Sequence, residues 1–205
     1  LGRERRARGV ALATGLDEAL MGVDGTSATD VWAVGADQGL GPLVLHFDGT
    51  AFTRVPTPGL TGHLWWVHAF APGHAMMSGA SSVVLEYKDG VLTRHSTPGL
   101  ARQTVFGLWG KAPNDVYAVG SNTSGRSGFI WHYDGTAWSA VHLPADLPRR
   151  AGEVPGLFKV WGAPSGEVYF VGSDGLALVR STDGVLRRLE TGSSETLFTV
   201  AGNAK

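Results

Sequence analysis

The chain has 205 residues, 17 of them basic and 18 acidic, so its net charge of −1 draws it to neither nucleic acid nor an anionic membrane. Its lack of cysteine excludes disulfides, thiol catalysis and cysteine-ligated metal centres. No apolar run reaches the roughly eighteen residues of a membrane helix, and 30 glycines with 10 prolines interrupt almost every helix-length window.

The opening "LGRERRARG" reads as a solvated basic end with no apolar leader segment behind its arginines. Because it does not begin with methionine, the chain is expected to be a segment of a longer protein or a processed product. From residue 20 one unit is written four times. Its anchor is the glycine of "VWAVG" (Gly35), "AMMSG" (Gly79), "VYAVG" (Gly120) and "VYFVG" (Gly172), at spacings of 44, 41 and 52 residues. Fifteen residues earlier stand Leu20, Leu64, Val105 and Leu157; twelve earlier stand Val23, Val67, Leu108 and Val160. An Asp-Gly pair follows each anchor, at 48–49, 89–90, 134–135 and 183–184.

Each unit carries four strand signals. In the third these are "VFGLWG", "DVYAVG", "FIWHY" and "AWSAVHLP", joined by "KAPN", a variable loop and the Asp-Gly turn. Asp-Gly between apolar runs signals a hairpin, since both residues tolerate the left-handed backbone such turns use. Four strands per unit with no helix between them predict one antiparallel sheet per repeat. Such sheets stack radially as the blades of an all-β propeller. The expected blades are 20–63, 64–104, 105–156 and 157–196, in one propeller domain or segment.

"LATGLDEAL" (12–20) matches "PTPGLTGHL" (56–64), so 1–19 is expected to end a preceding blade. "LFTVAG" (197–202) matches "LFKVWG" (157–162), so 197–205 is expected to start a following one. A fourth and a first strand cannot pair to close a ring, so the intact propeller is expected to be larger than this chain. Two aromatic-rich columns, Trp32/Met76/Tyr117/Tyr169 and Met21/Trp65/Phe106/Phe158, are expected to fill the core between blades.

The pattern "VWG…DVYAVG…I.HYDGTAW" resembles bacterial propeller repeats of the BNR or Asp-box type, including those of photosystem II assembly-factor-like proteins. Ser181, Asp183 and Gly184 match part of the box, as do Asp134, Gly135, Thr136 and Trp138; neither stretch has a residue between Asp and Gly. In that family the box stabilises a turn and is not an active site. Sialidases share the box and use an arginine triad with a tyrosine nucleophile. Here all four tyrosines, Tyr87, Tyr117, Tyr133 and Tyr169, occupy repeat columns, which makes them poor candidates for chemistry.

No catalytic residue is nominated, and no metal or other cofactor. His63, His68 and His74 have no metal-motif spacing, and "SNTSGRSG" lacks the ending of a phosphate loop. Asp24, Asp37, Glu86 and Glu153 are the acids that no turn explains. Loop lengths carry the functional signal. Second-to-third and fourth-to-first connections share one face of a blade, and the three longest variable segments, 36–42, 121–128 and 145–156, all belong to that set. Asp37, Gln38, Asn122, Arg126, Arg149 and Arg150 on these loops, with Trp66, are the candidate ligand-binding residues.

The expected function is a non-catalytic scaffold that binds a protein or carbohydrate through this face. The alternative is a glycoside hydrolase, sialidase-like or lyase propeller with catalytic groups partly outside the chain. Expected partners also include the remaining blades or further copies of this chain, but no nucleic acid and no membrane span. Compartment is left open, with an extracellular or periplasmic one preferred.

Overall fold

The computed structural model describes residues 16–202. Residues 1–15 and 203–205, and with them most of the expected preceding blade and the end of the following one, lie outside the described residues. Sixteen strands form four antiparallel sheets, each in sequence order. Blade 1 holds β1 (Leu20–Ser27), β2 (Asp30–Asp37), β3 (Pro42–Phe47) and β4 (Phe52–Arg54). Blade 2 holds β5 (Leu64–Ala71), β6 (His74–Gly79), β7 (Val84–Lys88) and β8 (Val91–Arg94). Blade 3 holds β9 (Gln103–Ala112), β10 (Asp115–Asn122), β11 (Phe129–Tyr133) and β12 (Trp138–Ala140). Blade 4 holds β13 (Leu157–Gly162), β14 (Val168–Gly172), β15 (Ala177–Arg180) and β16 (Leu186–Leu189).

Successive first strands lie against one another, β1 on β5, β5 on β9 and β9 on β13, so they are the inner strands of the stack. The second strands are covered on both faces. Val116, Tyr117, Ala118 and Val119 of β10 are all buried, which is why these strands read as unbroken apolar runs. Outer strands are less covered, and β16, "LRRL", leaves both of its arginines exposed. Three cores fill the blade interfaces. Trp32 and Val44 meet Leu64, Met77 and Leu85; Met76 and Val84 meet Leu108, Val116 and Trp131; Tyr117 and Ile130 meet Leu157, Phe170 and Leu178.

The anchor glycine is explained by crowding. A Cβ on Gly35, Gly79, Gly120 or Gly172 would lie 2.0, 2.2, 2.0 or 1.9 Å from the carbonyl oxygen of Ala19, His63, Thr104 or Gly156, the residue entering the inner strand. Only a glycine lets the second strand pass that carbonyl. The Asp-Gly turns differ from expectation. Both residues are left-handed only at Asp89 (φ 50°) and Gly90 (φ 86°), in a two-residue turn between Lys88 and Val91. At Asp48 and Asp134 the aspartate instead accepts two backbone N–H groups, from Thr50 and Ala51 and from Thr136 and Ala137. A longer loop there lets the side chain organise the turn.

The second aromatic column also departs from expectation. Trp65, Phe106, Phe158 and Phe198 form a chain of ring contacts at 5.5, 5.2 and 5.6 Å, but Trp65 is 37% exposed and Phe198 is 72% exposed. The buried columns of the inner strands are the aliphatic ones. They are closed in blades 2–4 and open in blade 1, where Leu20 and Val23 are 52% and 62% exposed. Leu197–Gly202 continues the ring of inner strands, with Leu197 N–H donating to the Gly172 carbonyl, but is not itself a strand. Among the described residues it has no second strand to pair with.

Candidate functional site

Two of the long connections are bonded to each other, Gly128 N–H donating to the Val154 carbonyl and Gly156 N–H to the Gly125 carbonyl, while the connection after β2 bonds to the one before β5. Asp37, at the end of β2, accepts from the N–H groups of Gly39, Gly41 and Gly62, while its own N–H donates to His63 Nδ1. These backbone donors hold its carboxyl below the usual aspartate range. Gln38 donates to the Asp17 carbonyl. Asn122 Oδ1 accepts from Ser124 N–H, Ser124 Oγ and Arg126 N–H, which ties up the start of the β10–β11 loop. Asp37 and Asn122 therefore shape their loops, and their acceptors are already occupied.

The arginines are placed differently. Segment 145–156 folds back as a small hairpin with Arg150 bridged to Glu153, and Arg126 bridges Pro155 beside it. Ser127 donates to Glu153, and Arg149 donates to the Gly152 carbonyl at 3.2 Å. Arg126, Arg149 and Arg150 are exposed on the resulting ledge, next to an open cleft of about 460 Å³ lined by Ser127, His142, Arg149 and Glu153. Asp37 and Gln38 belong to the junction of blades 1 and 2, and among the described residues no hydrogen bond links them to this ledge.

The other unexplained acids pair with histidines. Each of the first three blades carries an acid–imidazole pair joining its second and third strands at 2.7 Å: Asp30–His46, His74–Glu86 and Asp115–His132. Blade 2 has exchanged the two partners and kept the pair. Glu86 also contacts His95 at 3.0 Å, and His95 Nδ1 accepts from the Trp138 indole of blade 3. His63, His68 and His74 thus engage three different partners, Asp37, Asp24 and Glu86. Burial works to raise the Glu86 carboxyl, but the hydrogen bonds from His74 and His95 outweigh it and leave it below the ordinary glutamate range. A depressed folded value adds stability that is present above the unfolded value and lost as pH falls through the folded one. Unfolding free energy is therefore expected to drop as pH is lowered below the ordinary glutamate range. Glu86→Gln should lower the melting temperature at pH 7 and flatten this acid limb. Parallel acid limbs in denaturant titrations of the two proteins would remove Glu86 from the account.

Trp66 lies elsewhere, where the inner strands converge. Reading across blades, one column is Gly22, Trp66, Gly107 and Lys159, and the next is Asp24, His68, Trp109 and Trp161. The Lys159 ammonium sits over the Trp66 ring, reaching past Gly107 of the intervening blade. Asp24 Oδ2 faces His68 Nδ1 at 3.1 Å and accepts from Ala69 N–H, and Oδ1 accepts from Gly25 N–H. Burial opposes these contacts, yet they keep the Asp24 carboxyl below its ordinary value. With Trp109, Trp161 and Thr199 these groups line a cleft of about 390 Å³. Sequence reasoning named Trp66 and not Lys159, which the structure places against it. The available signal was a lysine in a column otherwise made of glycine and tryptophan.

Four-stranded antiparallel sheets stacked through their first strands make this protein a β-propeller. No protein-family model matches the sequence, and no curated protein matches it. Solved structures similar to it are propellers. Virginiamycin B lyase from Staphylococcus aureus superimposes with a TM-score of 0.65 at 14% identity, over 86% of this chain and 57% of that one. YCF48 bound to D1 peptide gives 0.56 at 18%, over 86% of this chain and 53% of the other. The six-bladed fucose-recognising lectin of Aleuria aurantia gives 0.55 at 11%, over 85% and 62%. The chain spans little more than half the length of these proteins, and at such identities the likeness shows the fold alone.

Proposed function

We propose that this protein is a non-catalytic propeller scaffold that binds a protein or a glycan through its long-loop face. The supporting observation is the ledge on blades 3 and 4, where three exposed arginines stand on mutually bonded loops beside an open cleft. Guanidinium forks suit carboxylates on either kind of partner. In this reading Arg126, Arg149 and Arg150 make contact, while Asp37, Gln38 and Asn122 hold the loops in shape. Neighbours of the same fold that bind a D1 peptide and fucose are in keeping with it. Kinship with Asp-box repeats belongs to the same proposal. Asp183 lends it support by accepting from Ser181 Oγ at 2.6 Å and from Val185 N–H, which makes it a turn-forming residue. The open apolar columns of β1 and of 197–202 support cover by further blades, or by another copy of the chain.

The test is a glycan array and a lysate pull-down with the wild type and with Arg126, Arg149 and Arg150 all changed to alanine. Captured ligands are expected to be lost from the triple variant at unchanged melting temperature. Binding that survives this change, but is abolished by substitutions in the short turns of the opposite face, overturns the choice of face.

A further inference from the structure

The geometry points to a second binding site, in the cleft where the inner strands meet, for a sugar carrying a carboxylate, with the Lys159 ammonium as its charge anchor. This goes beyond the loop-face reading and does not depend on it. Lys159 is half-buried, and its ammonium has no hydrogen bond or ion pair among the described residues, so three donors are unfilled. Asp24, the acid of the cleft, is occupied by His68 and two backbone N–H groups. His68 Nε2 faces the Gly110 carbonyl at 3.0 Å, so this ring is also held in place. The cleft is thus left with a cation that rests on the Trp66 ring but has no hydrogen-bonded or ion-paired partner among the described residues, beside two satisfied groups.

Its walls specify the rest of the ligand. Trp109 and Trp161 line it with indole rings of the kind that pack on the C–H face of a pyranose, while Trp66 carries the ammonium on its ring. Gly107 lets β13 come close to β9, because a Cβ there would come 2.9 Å from the Phe158 carbonyl oxygen and 3.4 Å from the Lys159 Cα. The volume, about 390 Å³, is within the range of small-ligand pockets. A peptide carboxylate is a poorer fit. An extended peptide presents polar amide planes to the indole rings of the cleft, where a pyranose presents a C–H face.

The ammonium is also poised to respond to an anion. Burial lowers Lys159 from the ordinary lysine value to about 8, against a small opposing pull from Asp24. From β1 Asp24 faces it and from β5 His68; β9 presents Leu108 and Trp109, and the last segment presents Thr199, Val200 and Ala201. A bound carboxylate favours the charged amine, so affinity should fall as pH rises past about 8.

The experiment is calorimetry with glucuronate, glucose and a short peptide with a free C-terminal carboxylate, on the full chain. Glucuronate is expected to bind at least tenfold more tightly than glucose or the peptide, with affinity declining above pH 8. Lys159→Met should weaken it tenfold or more at an unchanged melting temperature, and Lys159→Arg should restore part of the loss. The Arg126/Arg149/Arg150 alanine variant should bind glucuronate like wild type. No glucuronate binding, equal affinity for glucose, tighter binding of the peptide, or loss in the arginine variant with retention in Lys159→Met would each overturn the inference. Should Lys159→Met misfold, Lys159→Arg and the pH profile of wild type still decide.

Discussion

Trp32→Ala is expected to destabilise the protein by about 3–5 kcal/mol, the range for emptying a large aromatic site in a core. Trp32 is fully buried between blades 1 and 2, stacked on His46 with ring centroids 4.0 Å apart and tilted against Tyr87 at 4.8 Å. Truncation removes these contacts and leaves a void bounded by two sheets whose backbones are fixed by their own ladders. It also releases His46, whose Nε2 pairs with the buried Asp30 carboxylate at 2.7 Å. Trp32→Phe is expected to be much milder, because the indole Nε1 is buried without a hydrogen-bond partner and its loss removes an unsatisfied donor. Urea denaturation of the three proteins measures both effects. A Trp32→Ala loss below about 1 kcal/mol would mean that the interface collapses to fill the void, and that blade stacking is looser than the fold implies.

Gly120→Ala is expected to be nearly as damaging, although it adds a single methyl group. The new carbon would lie 2.0 Å from the Thr104 carbonyl oxygen and 2.5 Å from the Phe129 ring. The ring can rotate away, but the carbonyl belongs to β9 and is held by the ladder between β9 and β10. Overpacking of this kind costs about 1–3 kcal/mol, and more when backbone must move. Gly125→Ala is the comparison. Gly125 has nothing within 4 Å and a φ of +71°, so only left-handed strain opposes the change, worth about 1 kcal/mol. Thermal melts should rank Gly120→Ala below Gly125→Ala. The reverse order would show that the anchor glycine serves turn geometry and not close approach.

These two positions mark how far the amino-acid sequence could be read. Trp32 and Gly120 each stand in a column written four times, and a repeated column reports a repeated environment. The four strands per unit, the stacking of units and the loop-rich side follow from that periodicity, since every blade solves the same packing problem. The reading was less secure where an environment is not repeated. The Met21/Trp65/Phe106/Phe158 column looked like core because it is aromatic, but Trp65 is 37% exposed, its ring meeting Phe106 of the next inner strand in a T-shaped contact. The exchanged pair His74–Glu86 looked like drift at His74 alone, because its compensation lies on another strand.

By itself, then, the sequence determined the repeat, the strand count of each blade, the glycine that lets the second strand pass, and which connections are long. Tertiary structure alone decided what the unrepeated polar groups do. Lys159 and Trp66 are 93 residues apart and two blades distant, and they meet across Gly107, which puts no side chain between them. Asp24 and His68 are joined across a blade interface in the same way. Short-range periodicity encodes burial, which every blade shares. A charge finds its partner through the angle at which different blades converge, and no single repeat contains that information.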